Sequence, residues 1–238
     1  MNLFFSQIIE GDLAVLEAEE SAHLVQVLRR KPGDVIRLTD GKGTWYDGVL
    51  ESAGKKNAMV RITSRQSAVS RRPYQVHLAV APPKNIDRFE WFLEKATEIG
   101  VDRITPLWCQ HSERRTLRPD RLEKILVSSM KQSAQCFLPR LDPATGFRDF
   151  IAALSNRAES RFIGYLEEAT DSPHLFSVCE KGKDVLVLIG PEGDFSPEEV
   201  ALCKSNGFQL ISLGPNRLRT ETAAVCAVQI VAVRNEAG

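Results

Sequence analysis

The sequence lacks any hydrophobic run long enough to cross a membrane. A membrane-spanning helix needs about 20 consecutive apolar residues, and no stretch of this chain approaches that length. The first residues, MNLFFSQIIEGDL, also lack the basic region and the small-residue cleavage site of a secretory signal. We therefore expect a soluble protein of the cytoplasm with no membrane partner. With 238 residues, 43% of them hydrophobic, the chain can bury a substantial core.

The spacings typical of metal ligands are missing as well. The five cysteines are widely separated, no C-x-x-C pair occurs, and only Cys109 has a histidine close by, His111. Zinc sites use closely spaced cysteines and histidines, and disulfide frameworks belong mainly to short secreted chains. We expect reduced thiols and no bound metal.

Charge of either sign is not in excess, since 31 basic residues balance 31 acidic ones. A neutral chain argues against a protein that coats nucleic acid indiscriminately. The distribution is nevertheless uneven: residues 55–72 hold six basic residues and no acidic ones, and residues 113–140 hold seven basic residues against three acidic ones. Two such clusters favour contacts with the phosphates of a structured RNA, although each alone is equally well explained as a solvated face.

The first third of the chain has the pattern of a small β-barrel. Four short runs rich in branched and aromatic residues, LFFSQII, DVIRLTD, WYDGVLESA and NAMVRIT, are separated by turns that contain glycine. One helical piece is predicted over residues 21–28, with His23 near its start as a polar surface or capping residue. Residues 66–73, QSAVSRRP, form the best linker candidate, so we expect a first domain over residues 1–68 and a second over residues 73–238.

The rest of the chain alternates strands and helices. VHLAVAPP reads as a strand, IDRFEWFLEKATEIG as an amphipathic helix that stops at Gly100, and DRITPLWC as the next strand. A longer helix over about residues 118–135 and an αβ unit around residues 150–165 follow. This alternation predicts an α/β domain with a mainly parallel sheet covered on both faces.

The chain ends with two similar strand–loop–helix segments. In each, an apolar strand ends at Gly-Pro, and a polar loop leads to a helix. In the first, VLVLIGPEGDFSPEEV, Ser196 and Glu199 predict a capping box with Pro197 at the first helical position. Gly190 and Gly193 allow the backbone to approach a ligand closely. Loops at the carboxyl ends of parallel strands are where small ligands bind, although GPEG alone is equally compatible with a simple turn.

The second of these segments, ISLGPNRLRTETAAVCAV, places charged and hydroxyl groups directly before a stretch that is apolar on all sides. Such a helix must be buried, in the core or against a second copy of the chain. Thr220 can serve as its N-cap, and Glu221 is favoured by the helix dipole. Arg219 needs a partner, for which Glu221 and a phosphate or carboxylate of a substrate are both candidates.

Together, GPEGDFSPEE and LGPNRLRTETAA resemble the motif pair of the RsmE family. This family comprises SPOUT-class enzymes that methylate N3 of a uridine in small-subunit ribosomal RNA with S-adenosylmethionine. HLVQVLRRKPGDVIRLTDGKG, EKATEIGVDRITPLW and SSMKQSAQ match further, so the resemblance covers nearly the whole chain. It implies a SPOUT-type mainly parallel sheet with a C-terminal trefoil knot, preceded by a small PUA-like β-barrel that binds RNA, and a homodimer whose active site the partner completes.

The resemblance also implies the residues of the site. Those expected to bind S-adenosylmethionine are Gly190, Pro191, Glu192 and Gly193 in one loop, and Leu213, Gly214, Leu218, Arg219, Thr220, Glu221 and Thr222 in the other. Those expected to contact the ribosomal RNA are Arg29, Arg30, Lys84, Arg88 and Arg114. For catalysis we expect Arg219 to stabilise negative charge on the uracil ring or a phosphate, and Glu221 to act as base or orienting group.

The sequence departs from the family at two places. Many members carry an acidic residue and an arginine soon after the ITPL strand, whereas Gln110 and His111 stand nearest here and Glu113 and Arg114 follow slightly later. The long helix carries KQSAQ where an EQ-x-x-R pattern is common. A non-catalytic ribosome-assembly factor on the same fold is the alternative function. A dinucleotide-dependent oxidoreductase is disfavoured because the G-x-G-x-x-G fingerprint is absent.

Overall fold

The computed structural model describes residues 2–67, 72–154, 159–165 and 172–236. The chain divides into two compact units, residues 1–71 with 127–138 and residues 72–126 with 139–238. The expected division at residues 68 and 73 assigns the segment 127–138 to the second domain, whereas its contacts group it with the first unit. Part of the expected linker, residues 68–71, lies outside the described residues.

The first unit contains a six-stranded sheet with the order β1-β4-β5-β6-β3-β2. Its pairs are antiparallel except for β1 with β4, which run parallel. The elements are β1 (Leu3–Phe5), β2 (Ile8–Glu10), β3 (Leu13–Val15), α1 (Ala18–Ala22), a π-helical turn (His23–Val27), β4 (Val35–Thr39), β5 (Thr44–Ser52) and β6 (Met59–Ser67). Residues from every part of this curled sheet, among them Leu16, Leu24 and Leu38, bury one core.

Two sequence predictions for this unit need correction. LFFSQII forms two strands, because Ser6 leaves the ladder and its hydroxyl donates to the carbonyl of Val15 at 2.7 Å. The helical piece starts earlier than expected, at Ala18, and continues as a π-helical turn from His23. The strand β3 was not predicted, because three residues are too few for a period-two pattern.

The segment 127–138 is attached to the first unit by backbone pairing. The N–H of Gly43 donates to the carbonyl of Cys136 at 2.8 Å, and the N–H of Leu138 donates to the carbonyl of Gly41 at 2.8 Å. Gly43 has a φ of 103°, and a Cβ there would come within 2.4 Å of the Phe137 ring. The turn between β4 and β5 therefore depends on a segment that lies far away in the sequence.

The second unit is built on parallel strands in the order β10-β8-β7-β12-β11-β13, with β9 paired to β8. Its strands are β7 (Val76–Val80), β8 (Arg103–Trp108), β9 (Arg140–Leu141), β10 (Thr145–Gly146), β11 (Ser160–Gly164), β12 (Val185–Ile189) and β13 (Gln209–Ile211). Its helices are α2 (Ile86–Ile99), α3 (Pro119–Gln132, whose second half is grouped with the first unit), α4 (Phe147–Ala152), α5 (Leu175–Val178), α6 (Pro197–Ser205) and α7 (Thr220–Glu236).

Helices cover both faces of this sheet, as the alternation predicts. Leu186 and Leu188 of β12 share a core cluster with residues of α4 and α6. The alternate side chains of β12 point to the opposite face, where α7 packs on β7 and β12 and also contacts α2 and α5. The central strands are buried on both sides, which explains why they are continuous apolar runs.

The predicted ends of helices in this unit are confirmed where a cap residue lies within a few residues of the helix end. The helix α2 begins after Asn85, whose side chain accepts from the N–H of Asp87, and ends at Gly100 in the left-handed region with a φ of 113°. Ser196 and Glu199 form both hydrogen bonds of the predicted capping box. The five cysteines are free, and four of them are buried. Threading of the chain into a knot stays a prediction of the resemblance.

Within the described ranges, no helix has the length and apolar character that crossing a membrane requires.

Candidate active site

A cavity of about 520 Å³ lies at the carboxyl ends of β11, β12 and β13. The loops that follow these three strands and the first turn of α7 surround it. Its lining residues are Gly164, Tyr165, Ser172, Ile189, Gly190, Pro191, Glu192, Asp194, Ile211, Ser212, Leu213, Gly214, Asn216, Arg217, Leu218, Arg219, Thr220 and Ala223. The volume falls within the range of small-molecule and cofactor sites.

The loop after β12, residues 190–195, is a tight turn that we call the GPEGD loop. The N–H of Asp194 donates to the carbonyl of Pro191 at 2.9 Å, which closes the turn. Asp194 itself adopts a φ of 60°, a left-handed conformation that is uncommon for residues other than glycine. The capping box then starts α6, so the loop is held between a strand end and a fixed helix start.

The loop after β13, residues 212–219, is held by its own serine and by a neighbouring segment. The N–H of Gly214 donates to the hydroxyl of Ser212 at 3.1 Å, and the N–H of Leu175 donates to the carbonyl of Ser212 at 3.0 Å. Gly214 has a φ of 136°, which L-residues with a side chain rarely adopt.

Thr220 joins the two loops. Its hydroxyl donates to the carbonyl of Gly190 at 2.9 Å, and both residues line the cavity. The predicted role of Thr220 as N-cap is wrong, because α7 begins with Thr220 and the N–H of Ala223 donates to the carbonyl of Arg219. The hydroxyl is used for a tertiary contact instead of a local one.

Most of the residues that the sequence assigns to the methyl donor meet around this cavity. They are Gly190, Pro191, Glu192, Leu213, Gly214, Leu218, Arg219 and Thr220. Gly193, Glu221 and Thr222 do not line it. Gly193 belongs to the GPEGD loop but faces His111, and a Cβ added there would lie 3.0 Å from the Cβ of His111.

The two residues assigned to catalysis have different surroundings. Arg219 is exposed and lines the cavity. Glu221 is buried, with 8% of its surface exposed, and its Oε1 lies 3.7 Å from Nε of Arg88. The candidate partners of Arg219 were Glu221 and a phosphate or carboxylate of a substrate. Glu221 is close to Arg88 instead.

The cavity carries charges of both signs. Glu192 and Asp194 come from the GPEGD loop, and Arg217 and Arg219 come from the loop before α7. Glu192 is also fixed from outside, because its Oε1 accepts the backbone N–H of Lys84 at 3.1 Å. The site can therefore bind a ligand that carries both a cationic and an anionic group.

Four of the five arginines and lysines assigned to RNA are engaged in contacts within the chain. Lys84 forms an ion pair with Glu113 at 2.8 Å, and hydrogen bonding to that carboxylate raises the pKa of the lysine. Arg114 donates from Nε to the carbonyl of Lys84, Arg30 lies 3.8 Å from Asp34, and Arg88 faces Glu221. Arg29 is exposed and adopts a φ of 54°.

The two basic clusters of the sequence are also largely paired. The ion pairs in and around them are Arg61 with Glu51, Arg65 with Asp12, Arg72 with Asp102, Arg118 with Asp120, Arg121 with Glu90, Lys131 with Glu20, and Arg140 with Asp142. Most of these pairs are exposed at one side chain or both, where RNA phosphates can compete for the basic partner. Among the described residues, no group of three or more His, Cys, Asp or Glu is placed to hold a metal ion.

Sequence reasoning missed the part of the cavity that follows β11. Gly164 and Tyr165 line it because β11 lies between β12 and β13 in the sheet. The order of strands in a sheet is not written in any local pattern. The glycine that ends the apolar run RFIG was the available signal.

Comparison with known proteins agrees with this arrangement. A family model described as an RNA methyltransferase domain matches residues 70–232, and one described as an RNA methyltransferase PUA domain matches residues 16–63. The fold and these family models thus define an RNA methyltransferase with a PUA-like barrel. Curated relatives named ribosomal RNA small subunit methyltransferase E include those of Rickettsia conorii, 30% identical over 94% of this chain and 91% of that protein, and Mycobacterium bovis, 31% identical over 94% and 87%. The chain belongs to this family, RsmE.

Solved structures of similar chains match along the whole length. A probable rRNA methyltransferase from Porphyromonas gingivalis is 39% identical with a TM-score of 0.92, covering 100% of this chain and 99% of that one. A putative methyltransferase from Legionella pneumophila, in complex with the cofactor SAM, is 28% identical with a TM-score of 0.87, covering 99% and 98%. The Neisseria gonorrhoeae methyltransferase E bound to S-adenosyl methionine is 25% identical with a TM-score of 0.84, covering 96% and 95%.

Proposed function

We propose that this protein transfers a methyl group from S-adenosylmethionine to N3 of a uridine in small-subunit ribosomal RNA. The observation that carries the proposal is the cavity in which the two motif loops meet, joined by the hydrogen bond between Thr220 and Gly190. The relatives named above supply the substrate class and the donor. The position of methylation follows from the family resemblance. The enzyme would act in the cytoplasm, where its RNA is assembled into subunits.

The residues of the cavity fit the methyl donor. S-adenosylmethionine carries a carboxylate, an ammonium and a sulfonium, and the cavity offers Arg217 and Arg219 beside Glu192 and Asp194. The glycines of both loops bring backbone N–H and C=O groups close to a ligand, which suits recognition of an adenine edge. When bound, the donor supplies an electrophilic methyl group on sulfur.

Alignment is then the main contribution of the protein to the reaction. N3 must face the methyl carbon in line with the breaking sulfur–carbon bond, so the uridine has to be unpaired. N3 would form its bond to the methyl carbon as the sulfur–carbon bond breaks, the thioether S-adenosylhomocysteine would leave, and the proton of N3 would be released to solvent. Arg219, exposed in the cavity, is placed to stabilise the negative charge that develops on the uracil ring or to hold a neighbouring phosphate.

Glu221 acts by orientation in this proposal. Its carboxylate is buried beside Arg88 and does not line the cavity, so a direct role as base requires a path that the geometry does not offer. Held by Glu221, Arg88 presents its guanidinium near the start of α7, where it can contact the RNA backbone. Arg29, Arg30, Lys84 and Arg114 supply further contacts to phosphates, and the barrel positions the RNA.

We also propose a homodimer, for which the outer side of α7 gives the support. Val225, Cys226 and Ile230 are half-buried, and Val233 keeps 40% of its surface exposed. Trp91 of α2, a helix in contact with α7, is 44% exposed. An apolar strip of this kind matches the isologous interface of a two-fold dimer.

The deciding experiment incubates the purified protein with methyl-labelled S-adenosylmethionine and small ribosomal subunits that lack the modification. Nucleoside analysis of the RNA should show label in N3-methyluridine. Label in another nucleoside would overturn the proposed target atom. Absence of donor binding by calorimetry would favour the non-catalytic assembly factor.

A further inference from the structure

The two residues that depart from the family pattern, Gln110 and His111, lie next to the GPEGD loop and the start of α6: His111 contacts the loop, and Gln110 contacts Glu199 of α6. Only Cys109 separates them from the end of β8. Nδ1 of His111 lies 3.0 Å from the carbonyl oxygen of Gly193 and 3.0 Å from that of Asp194. The next residue towards β8, Gln110, donates its backbone N–H to Oε1 of Glu199 at 2.8 Å.

The contact made by His111 fixes the chemical state of one ring nitrogen. Both neighbours of Nδ1 are carbonyl oxygens, which only accept hydrogen bonds, so Nδ1 must carry a proton and donate it. A single N–H shared between two carbonyls holds consecutive peptide units in one orientation. These are the units on either side of Asp194, the residue with the left-handed φ of 60°.

The packing at this point is as close as the hydrogen bonding. A Cβ on Gly193 would meet the Cβ of His111 at 3.0 Å, so the ring lies directly against the glycine backbone. Both Asp194 and the preceding Pro191 and Glu192 line the cavity, whereas Gly193 and His111 do not. His111 thus touches the loop on the side away from the lining residues.

Glu199 fixes the far end of the same loop. Its carboxylate is buried, accepting the N–H of Ser196 through Oε2 and that of Gln110 through Oε1. The segment after β8 is therefore attached at two points, to the turn at Asp194 through the side chain of His111 and to α6 through the backbone N–H of Gln110.

We propose that His111 is a positioning residue for S-adenosylmethionine: it holds the GPEGD loop in the conformation that binds the donor, without touching the donor itself. This inference rests on the proposed function, because it assumes that the cavity is the donor site. A left-handed aspartate leaves the turn several conformations of similar energy, and the shared hydrogen bond selects one of them. Without that bond the free loop is less ordered, so binding of S-adenosylmethionine has to order it. The cost of this ordering lowers the affinity.

The test compares three substitutions at this position. His111→Ala removes the N–H group that donates to the two carbonyls. His111→Asn keeps an amide N–H at the position of Nδ1, and His111→Gln moves the amide one bond farther from the backbone. We expect the dissociation constant and the KM for S-adenosylmethionine to rise about threefold to tenfold in the alanine variant. The asparagine variant should recover most of this loss, and the glutamine variant less. The kcat at saturating donor and the KM for RNA should stay within about twofold of the parent.

A second variant approaches the same contact from the loop. Gly193→Ala places a methyl group 3.0 Å from the Cβ of His111, so this contact has to yield by a few tenths of an ångström and donor binding should weaken. The double variant that combines Gly193→Ala with His111→Ala should bind S-adenosylmethionine no more weakly than the weaker-binding of the two single variants, because the same interaction is lost in all three. His23→Ala, at an exposed histidine of the first unit, serves as the matched control and should leave donor affinity unchanged.

The outcomes separate this inference from the proposed function. If the parent protein binds S-adenosylmethionine and His111→Ala binds it equally well, the positioning role is wrong and the function stands. If kcat falls while donor affinity is kept, His111 acts on the reaction itself and the inference is equally wrong. If the parent fails to bind the donor, the proposed function fails first. Equal thermal stability of the free variants excludes a general loss of fold.

Discussion

The hydroxyl of Thr220 donates to the carbonyl of Gly190 at 2.9 Å, and this bond connects the two loops that form the cavity. Both residues are buried, and both line the cavity. We expect the relative position of the loops, and with it the shape of the cavity, to depend on this contact.

Replacing Thr220 by valine should leave the carbonyl of Gly190 without its partner. A buried carbonyl that loses its donor costs about 1–3 kcal/mol, so we expect the free energy of unfolding to fall by that amount in denaturant titrations. Affinity for S-adenosylmethionine should fall as well. Thr220→Ser is the matched control, because it keeps the hydroxyl. Equal stability of the valine and serine variants would show that the bond contributes nothing.

Arg219 should contribute mainly to the chemical step. Removal of one group that stabilises developing charge lowers kcat by about 100-fold in comparable sites, and we expect this for Arg219→Ala. Arg219→Lys should fall in between, since it keeps the charge and loses the planar fork. Single-turnover methylation at saturating donor is the measurement. Full turnover of the alanine variant with unchanged donor affinity contradicts the assignment.

A charge on the outer side of α7 should separate the proposed dimer. Val233→Glu introduces a carboxylate at a position that is 40% exposed in one chain, so the fold of the chain should survive. We expect light scattering to give the mass of two chains for the parent and of one chain for the variant. The control is Ile8→Glu, at an apolar residue of the first unit that is 45% exposed. A parent that is monomeric at micromolar concentration rules out the dimer.

The buried histidine of β7 should make stability depend on pH. Burial, and then the charge of Arg103, lower the pKa of His77 from 6.5 to about 3 in the folded chain. Between pH 6.5 and about 3, His77 is therefore protonated in the unfolded chain and neutral in the folded chain. The stability is complete above about pH 6.5 and falls by up to about 1.4 kcal/mol per pH unit as the pH drops towards 4.

A variant can isolate this contribution. Nε2 of His77 lies 2.8 Å from the hydroxyl of Thr105, which itself donates to Asp142. His77→Gln supplies an amide N–H that does not titrate, so the unfolding free energy should depend less steeply on pH between 6.5 and 4. The charged groups that face the ring are Arg103, Arg140 and Asp142, and although burial acts against it, hydrogen bonds from Thr105 and Arg103 lower the pKa of the Asp142 carboxyl. An unchanged slope would mean that other groups cause the dependence.

The sequence allowed prediction of features that neighbouring residues determine. Asn85 and Gly100 delimit α2, and Ser196 with Glu199 starts α6, because caps act over three or four residues. The motif loops also come together as expected, since carboxyl ends of parallel strands share one edge of a sheet.

Contacts between distant residues could not be predicted in the same way. Thr220 has a satisfactory local role as a cap, and only the folded chain shows that its hydroxyl reaches Gly190 instead. Glu221 and Arg88 meet because α2 packs against α7. The position of β11 between β12 and β13 brings Tyr165 to the cavity. Each of these depends on which elements are neighbours, which no local pattern records.

The pairing of residues 136–138 with the turn at residues 41–43 has a consequence for the order of events during synthesis. The strands of the first unit emerge from the ribosome early, yet the backbone groups of Gly41 and Gly43 find their partners only after Leu138 has been made. The barrel therefore completes its contacts only after residues 72–126 of the second unit have been translated. A first domain expressed without residues 136–138 would lack the segment that pairs with its turn at residues 41–43. The two family domains therefore cannot be exchanged as independent units.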